Sequence, residues 1–202
     1  MPAHGGMRPR PAKTAPGMLV ELSAAVESRD PTTRGHAARV TALADAVARR
    51  LGWDEQRIAT LRIGGTLHDV GKVAVPIAVL LKRGPLTDAE RAQIRAHPAA
   101  GARVVGSIEA ARCALPIVLH HHERWDGRGY PHRLRGEEIP EEARLLALAD
   151  AYDAMTTDRP YRRAVPSSHA LAELERCAAT QFDPQLTRRF VEVWGATVRA
   201  AV

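Results

Sequence analysis

Residues 68–72 read His68-Asp69-Val70-Gly71-Lys72 and close a segment whose apolar residues have helical spacing. Neighbouring helical residues project about 100° apart, so His68 and Asp69 cannot share one helix face. Both can reach one point if a pair of metal ions lies off the helix end. An imidazole nitrogen and two carboxylate oxygens suit such a pair. We expect Gly71 to end the helix in the left-handed conformation, and Lys72 to place a positive charge beside a bound anion.

The composition predicts one soluble globular domain. Of the 202 residues, 45% are hydrophobic and 26% are charged, while aromatic residues make up only 4%. Alanine and leucine dominate, which favours helices over strands. Neither a membrane-length apolar run nor a signal peptide is visible. We expect Cys113 and Cys177 to be reduced core thiols, and these observations together predict a cytoplasmic protein without a membrane partner.

The positive charge is concentrated at the amino end. Half of the net charge of +6 lies in residues 1–17, where Arg8, Arg10 and Lys13 stand without any acidic residue. This stretch is rich in Pro, Gly and Ala and lacks periodicity, so we predict a disordered basic tail, followed by a domain over residues 18–202. The remaining charge is small and no basic stripe alternates with aromatics, which argues against a nucleic acid polymer as partner. A small phosphate-bearing ligand remains compatible.

Hydrophobic periodicity predicts an all-α fold. Asp54 and the Thr87-to-Glu90 capping box are expected to begin two of the helices. Gly64-Gly65 interrupts a helix one turn before His68, at a cost of roughly 1 kcal/mol for each glycine relative to alanine. That cost suggests that another element must approach closely there. Further helices are predicted over residues 18–27, 35–51, 108–122, 140–156, 167–178 and 184–197.

Several polar side chains fall at helix ends or on inward faces. His36 lies in a first helical turn, where a surface polar residue is locally the favoured interpretation, and His97 precedes a proline that breaks helix direction. His97 is either a capped core histidine or a ligand. Asp150 lies in a helix that is apolar nearly all round, so it must pair with Arg159 or Arg162 or bind a metal. Three successive histidines, His120 to His122, are hard to bury unless their nitrogens are occupied.

Together these residues offer five imidazoles and two carboxylates. This set suits two borderline transition metal ions, with one carboxylate able to bridge them. Spacing alone does not show that the helices converge. The candidate metal ligands are His36, His68, Asp69, His97, His121, His122 and Asp150.

The motifs resemble the HD-GYP family of cyclic dinucleotide phosphodiesterases, a branch of the HD-domain metal hydrolases. The resemblance covers roughly residues 18–193 and implies an HD-domain helical bundle with a loop-borne Gly-Tyr-Pro segment. Its most specific parts are His-Asp-x-Gly-Lys and the run from His-His-Glu to Gly-Tyr-Pro. The matching stretches are Arg29 to His36, His68 to Lys72, His97-Pro98, His121 to Pro131, Leu148 to Asp150, Asp158 to Arg162 and Phe182 to Pro184.

The resemblance implies hydrolysis of cyclic di-GMP to linear pGpG, with GMP as a further candidate product. His36, His68, Asp69 and Asp150 would hold one ion, and His97, His121 and His122 a second, with Asp69 as the bridge. Iron or manganese is expected before zinc or nickel. Asp69 and Lys72 are the candidate catalytic residues, and Lys72 would stabilise charge on the scissile phosphate. Gly129, Tyr130 and Pro131 would line the substrate cleft, and Arg159 and Arg162 would meet phosphate or guanine edges.

Two departures from the family pattern affect the site. Some members hold a third metal ion with a glutamate four residues before the first histidine, and this chain has Thr32 there, which favours two ions. The chain also has three histidines before Glu123 where the family has two. We assign His121 and His122 as ligands by their position before Glu123 and leave His120 out of the site.

Alternatives remain for the substrate and the biological role. The same site could cut cyclic GMP-AMP, or the domain could be a catalytically weak module that docks a partner such as a diguanylate cyclase. The filled ligand positions argue against loss of activity. The domain could also serve as the output unit of a sensor, and residues 18–26 could pair two copies in a homodimer.

Overall fold

In a computed structural model, residues 15–158 and 163–200 are described, and they form ten α-helices joined by turns and short 3-10 segments. Strands are absent from these residues apart from one isolated bridge between Ala178 and Phe182, which confirms the predicted all-α class. The α-helices are α1 (Ala15–Glu27), α2 (His36–Arg50), α3 (Glu55–Leu67), α4 (Ile77–Leu80), α5 (Asp88–Arg95), α6 (His97–Gly106), α7 (Leu115–His120), α8 (Glu141–Thr156), α9 (Ser167–Arg176) and α10 (Pro184–Ala200).

Two apolar clusters form the core. The larger one joins α2, α3, α8, α9 and α10 around residues such as Val47, Leu145 and Phe190, all without solvent exposure. The smaller one packs α1 against the end of α3 and against α7 through Leu19, Leu67 and Val118. Burial of apolar surface in these two clusters is the main force that packs the helices against one another. The two clusters meet where α3 and α7 end, and this junction positions the histidines.

Glycines set how closely these helices approach. A Cβ on Gly64 would lie 2.7 Å from the Ile117 side chain, and one on Gly65 would lie 2.5 Å from Thr41 Oγ1. The predicted close approach therefore exists, but α3 runs unbroken to Leu67, so the prediction that the glycine pair interrupts the helix was wrong.

The expected role of Gly71 was also wrong. The helix ends at Leu67, Gly71 lies in a 3-10 segment over Val70–Ala74, and its φ is not in the left-handed region. A Cβ there would overlap the His97 carbonyl oxygen and the Gly101 nitrogen. Glycine is required at this point because the backbone that follows Asp69 touches the start of α6.

Local signals located most helix boundaries. Asp54 accepts a hydrogen bond from Arg57 N, and Thr87 with Glu90 forms the predicted capping box. The segment predicted as one helix over 108–122 instead contains a 3-10 stretch, Glu109–Ala114, followed by α7. The short α4 was not predicted. Cys113 is exposed rather than buried in the core, and Cys177 is partly buried; both are free thiols.

Two predictions fall at the edge of what the structure describes. Residues 1–14 of the predicted tail lie outside the described residues, and α1 begins at Ala15, so the predicted boundary after residue 17 falls in its first turn. Among the described helices, none is long and apolar enough to cross a membrane.

Candidate metal centre

Four helix ends converge on one point and deliver histidines to it. His36 and His97 are the first residues of α2 and α6, whereas His68 and His121 directly follow α3 and α7. All four are nearly or fully buried. Their rings pack in T-shaped or tilted pairs, with centroids 5.3 Å apart for His36–His68, 5.1 Å for His68–His121 and 5.3 Å for His97–His121. The structure therefore brings together histidines that are up to 85 residues apart in sequence.

Asp69 lies between two groups of imidazoles and offers one oxygen to each. Its Oδ1 is 3.3 Å from His97 Nε2. Its Oδ2 is 3.5 Å from His68 Nε2 and 3.9 Å from His36 Nε2. A carboxylate divided in this way can join two cations, because each oxygen has its own lone pairs.

The ligand atoms form two sets that share Asp69. Asp69, His97, His121 and His122 form one set and His36, His68 and Asp69 form the other, and within each set the ligand atoms lie within 4.8 Å of one another. Asp150 adjoins the second set through His36, whose Nε2 is 3.2 Å from Asp150 Oδ1. All seven predicted metal ligands therefore lie together, and Asp150 has His36 as a partner.

The far nitrogen of each buried histidine is anchored, and this orients the near one. Nδ1 lies 2.8 Å from a backbone carbonyl in His68, His97 and His121, the partners being Gly65, Ile94 and Val118. A histidine that donates from Nδ1 to a carbonyl presents the lone pair of Nε2, which is the arrangement of metal-bound imidazole. His68 Nε2 is buried and has no hydrogen-bond partner among the described residues. The donor set therefore fits a pair of borderline divalent metal ions.

His36 is held differently, by a carboxylate that sequence reasoning missed. Its Nδ1 is 2.7 Å from Asp153 Oδ2, and Arg39 grips the same carboxylate with Nε 2.6 Å from Oδ1 and Nη2 3.1 Å from Oδ2. Asp153 lies on α8 and is buried, with only 3% of its surface exposed. A signal existed, because Asp153 follows Asp150 and Arg39 follows His36 by three residues, one helical turn in each case.

Electrostatics keep most of these groups in the state that binds a cation. Burial lowers the pKa of His68 and His121, and lowers that of His122 to about 4, so all three are neutral near pH 7. Burial by itself would raise the pKa of Asp69, but the charge of Lys72 holds it well below its usual range. His36 differs: burial lowers its pKa, but hydrogen bonds to Asp150 and Asp153 outweigh burial and raise it to about 9.

Lys72 stands at the open side of this cluster. Its Nζ is 2.6 Å from Asp69 Oδ2, and its side chain is 23% exposed. Arg29 holds the backbone of the same segment, because its guanidinium donates to the carbonyls of Lys72 and Val73 at 2.9 and 2.6 Å and to that of Val75 at 3.0 Å. Arg29, which belongs to the first matching motif, therefore holds the backbone that carries Lys72, the predicted catalytic lysine.

The Gly-Tyr-Pro segment covers one side of the centre. The Tyr130 ring stacks on His122 with centroids 4.9 Å apart, and the Arg95 guanidinium lies 5.4 Å from the Tyr130 ring centre. Gly129 is required because a Cβ there would overlap the backbone of Glu123 and Arg124. Tyr130 is thus partly exposed beside the ligands rather than being a core aromatic residue.

The remaining predicted residues have clear positions or lie outside the description. His120 points away from the centre, with Nδ1 2.9 Å from Pro116 O and Nε2 3.1 Å from His132 Nδ1. Thr32 donates its hydroxyl to Asp30 Oδ1 at 2.7 Å. Arg159 and Arg162 lie outside the described residues, so both their predicted contact with the substrate and the alternative pairing with Asp150 stay predictions.

Comparison with known proteins identifies the class of this helical metal centre. The HD domain family matches residues 21–186, and the chain therefore belongs to the HD-domain family. It is 40% identical over 169 residues to the cyclic di-GMP phosphodiesterase response regulator RpfG of Xanthomonas campestris, which covers 83% of this chain and 45% of RpfG. It is 39% identical over 181 residues to the cyclic di-GMP phosphodiesterase PA4108 of Pseudomonas aeruginosa, covering 89% of this chain and 43% of that protein. These relatives confirm the resemblance to HD-GYP phosphodiesterases.

A third relative has a different substrate in its name. The chain is 36% identical over 160 residues to the 3'3'-cGAMP-specific phosphodiesterase 3 of Vibrio cholerae, covering 79% of this chain and 35% of the relative. The chain spans less than half the length of each of these curated relatives.

Solved structures show the same fold. The cyclic GMP-AMP specific phosphodiesterase V-cGAP3 of V. cholerae superimposes with a TM-score of 0.68 at 18% identity, covering 88% of this chain and 48% of that one. Bd1817, a HDG"Y"P protein from Bdellovibrio bacteriovorus, gives a TM-score of 0.65 at 25% identity, covering 79% of this chain and 51% of that one. The predicted HD-domain bundle is confirmed.

Proposed function

We propose that this domain is a metal-dependent phosphodiesterase that opens cyclic di-GMP to linear pGpG, with GMP as a candidate further product. One observation carries the proposal: Asp69 offers one oxygen to each of two imidazole groups, with the Lys72 ammonium beside it. The identities of 39–40% to cyclic di-GMP phosphodiesterases support the same reaction.

The implied cofactor is a pair of divalent transition metal ions, with iron or manganese proposed before zinc or nickel. One ion would be held by His36, His68 and Asp150. The other ion would be held by His97, His121 and His122, and Asp69 would be a ligand of both ions. Bound divalent ions would supply positive charge to the phosphate oxygens and lower the pKa of water. Thr32 lacks a carboxylate and uses its hydroxyl on Asp30, which supports two ions rather than three.

The side chains around the two ions are proposed to have separate roles. Asp69 fixes the spacing of the two ligand groups. Lys72 is proposed to balance the charge that accumulates on the phosphate in the transition state, a role that a preorganised, partly buried cation performs well. Tyr130, between Gly129 and Pro131, is proposed to offer its partly exposed aromatic ring and hydroxyl to the substrate. Arg159 and Arg162 are proposed to bind phosphate or guanine.

The direct test is hydrolysis by purified protein loaded without oxygen with Fe²⁺ or Mn²⁺. We expect cyclic di-GMP to be converted to pGpG, and Asp69→Ala to lose both bound metal and activity. Asp45→Ala is the matched control, because Asp45 is a surface carboxylate that pairs with Arg49 and Arg62. Full turnover by Asp69→Ala would exclude this site. Three ions per chain that are all retained in a His120→Gln variant, which leaves the centre itself intact, would exclude the two-metal assignment.

Cyclic GMP-AMP is a second candidate substrate. The observation that favours it is the 36% identity to a 3'3'-cGAMP-specific phosphodiesterase. The two nucleotides are therefore compared at equal concentration in the same assay. Cleavage of cyclic GMP-AMP with cyclic di-GMP left intact would reassign the substrate and keep the mechanism.

Partners and location stay proposals. Met18 and Val20 on α1 are 58% and 59% exposed, which supports the predicted pairing of two copies through residues 18–26. A diguanylate cyclase or a sensor domain is the other proposed partner, and the cytoplasm is the proposed location.

A further inference from the structure

A second pair of imidazoles lies outside the metal centre. His120 Nε2 is 3.1 Å from His132 Nδ1, and the two ring centroids are 5.3 Å apart. His132 is exposed and His120 is half-buried, so solvent reaches the pair. These two residues bracket the loop 121–131, which carries His121, His122 and Tyr130.

The orientation of the pair suits a shared cation. His120 Nδ1 lies 2.9 Å from the Pro116 carbonyl and donates to it, which leaves the lone pair of Nε2 facing His132. When the His132 proton is on Nε2, the lone pairs of His120 Nε2 and His132 Nδ1 are both available to one cation. Metal–nitrogen bonds of about 2.0–2.1 Å hold two ligand nitrogens about 2.8–3.4 Å apart for angles between 90° and tetrahedral. The observed 3.1 Å falls in that interval, and His97 Nε2 and His121 Nε2 in the metal centre are similarly 3.3 Å apart.

A buried carboxylate contacts the backbone of His132. Glu123 is only 4% exposed, and its Oε1 accepts a hydrogen bond from His132 N at 2.7 Å. Its Oε2 is buried and has no hydrogen-bond partner among the described residues. A buried carboxylate oxygen without a donor is costly, and a nearby cation would compensate for that cost.

We propose that His120 and His132 form a separate two-imidazole site for one borderline divalent transition metal ion of the Ni²⁺ or Zn²⁺ class, with Glu123 as a neighbouring negative charge rather than a third ligand. Imidazole is a preferred ligand of these ions. A bound ion would join the end of α7 to the residue that follows the Gly-Tyr-Pro segment. The loop that supplies two ligands of the metal centre would then be held at both ends.

The test is a Ni²⁺ titration of the full chain, followed by calorimetry and by metal analysis after desalting. We expect wild type to bind one more Ni²⁺ per chain than His120→Gln or His132→Gln. Exchange of Ni²⁺ into the metal centre is common to all three proteins, so the difference isolates the pair. His169→Gln, which removes an exposed histidine on α9, is the matched control and should bind as many ions as wild type. Ni²⁺ should also raise the Tm of wild type and of His169→Gln by more than that of either loop variant.

Two outcomes would overturn the proposal. Equal numbers of ions with equal affinity in wild type and both loop variants would mean that the 3.1 Å contact is an N–H···N hydrogen bond only. An equal loss in His169→Gln would mean that exposed histidines bind Ni²⁺ without a built site. Circular dichroism of each variant shows that the helices remain folded, and Glu123→Gln then tests whether the carboxylate contributes to affinity.

Discussion

The Nδ1 atom of His36 lies 2.7 Å from Oδ2 of Asp153, although the two residues are 117 positions apart in the chain. Arg39 holds the other side of the same carboxylate. This chain of contacts from arginine to carboxylate to imidazole fixes the His36 ring so that Nε2 points at Asp150 and Asp69. The rings of His68, His97 and His121 are oriented by backbone carbonyls. Among these four buried histidines, only His36 is oriented by a charged side chain, that of Asp153.

Asp153→Asn should weaken metal binding selectively on the His36 side. The amide keeps the size of the side chain but removes the negative charge that orients the ring, and loss of such an outer carboxylate typically lowers metal affinity by about 10–100-fold. Chelator competition and metal content per chain measure the effect, and we expect one ion to weaken while the other is retained. Asp45→Asn is the control, and unchanged affinity of both ions in Asp153→Asn would contradict the assigned role.

Lys72→Met should reduce turnover without removing the metals. Methionine retains much of the length and the apolar part of lysine but cannot balance charge on a phosphate, so kcat should fall by about 10²–10³. Lys82→Met is the matched control, because Lys82 forms an exposed ion pair with Glu90. Loss of metal from Lys72→Met, with activity restored by added metal, would show that Lys72 supports Asp69 rather than the reaction.

The sequence predicts the helices because their signals are local. Apolar spacing and the caps at Asp54 and Thr87 involve neighbouring residues only, and they locate α2 and the starts of α3 and α5 well. The metal ligands could also be proposed, because each stands at a helix end within a recognisable motif. The support of His36 could not, because Asp153 and Arg39 lie on different helices and their contact requires knowledge of how α2 packs on α8.

Gly71 shows how a local rule can fail. A glycine after a helical segment usually marks a left-handed helix end, but here the close contact with α6 determines the residue. The 3-10 segment Glu109–Ala114 escaped prediction for a related reason, since its apolar pattern resembles that of the helix that follows it.

Gly71→Ala should destabilise the fold and the metal centre together. The added methyl group would overlap the His97 carbonyl oxygen, so α6 must shift and take the His97 ring with it. Overpacking of this kind costs about 1–3 kcal/mol of the free energy of unfolding, which urea denaturation of the metal-free protein measures. Gly84→Ala is the control, because nothing lies within 4 Å of a Cβ there. Equal stability and full metal content in Gly71→Ala would contradict the requirement for glycine.

Metal-free protein should lose stability as the pH rises from about 6.5 to about 9, because the pKa of His36 is raised to about 9 in the folded chain from an ordinary value of 6.5. A group with a raised pKa stabilises the fold fully below its unfolded value, and that contribution disappears as the pH passes the folded value. The pKa values of His68, His121 and His122 are lowered, so these residues change the stability below pH 6.5 and do not contribute to its loss between pH 6.5 and 9. Since His36 is only 7% exposed, the shift corresponds to about 3 kcal/mol of the free energy of unfolding.

Urea unfolding of chelated protein at a series of pH values measures this loss, and His36→Gln should flatten the curve between pH 6.5 and 9. Metal binding has the opposite sign, because Nε2 of His36 must release its proton before it can bind an ion. Affinity on the His36 side should therefore rise with pH up to about 9, so the pH range that weakens the metal-free fold favours the loaded one. A metal-free stability that rises across the same window would contradict the hydrogen bonds assigned to Asp150 and Asp153.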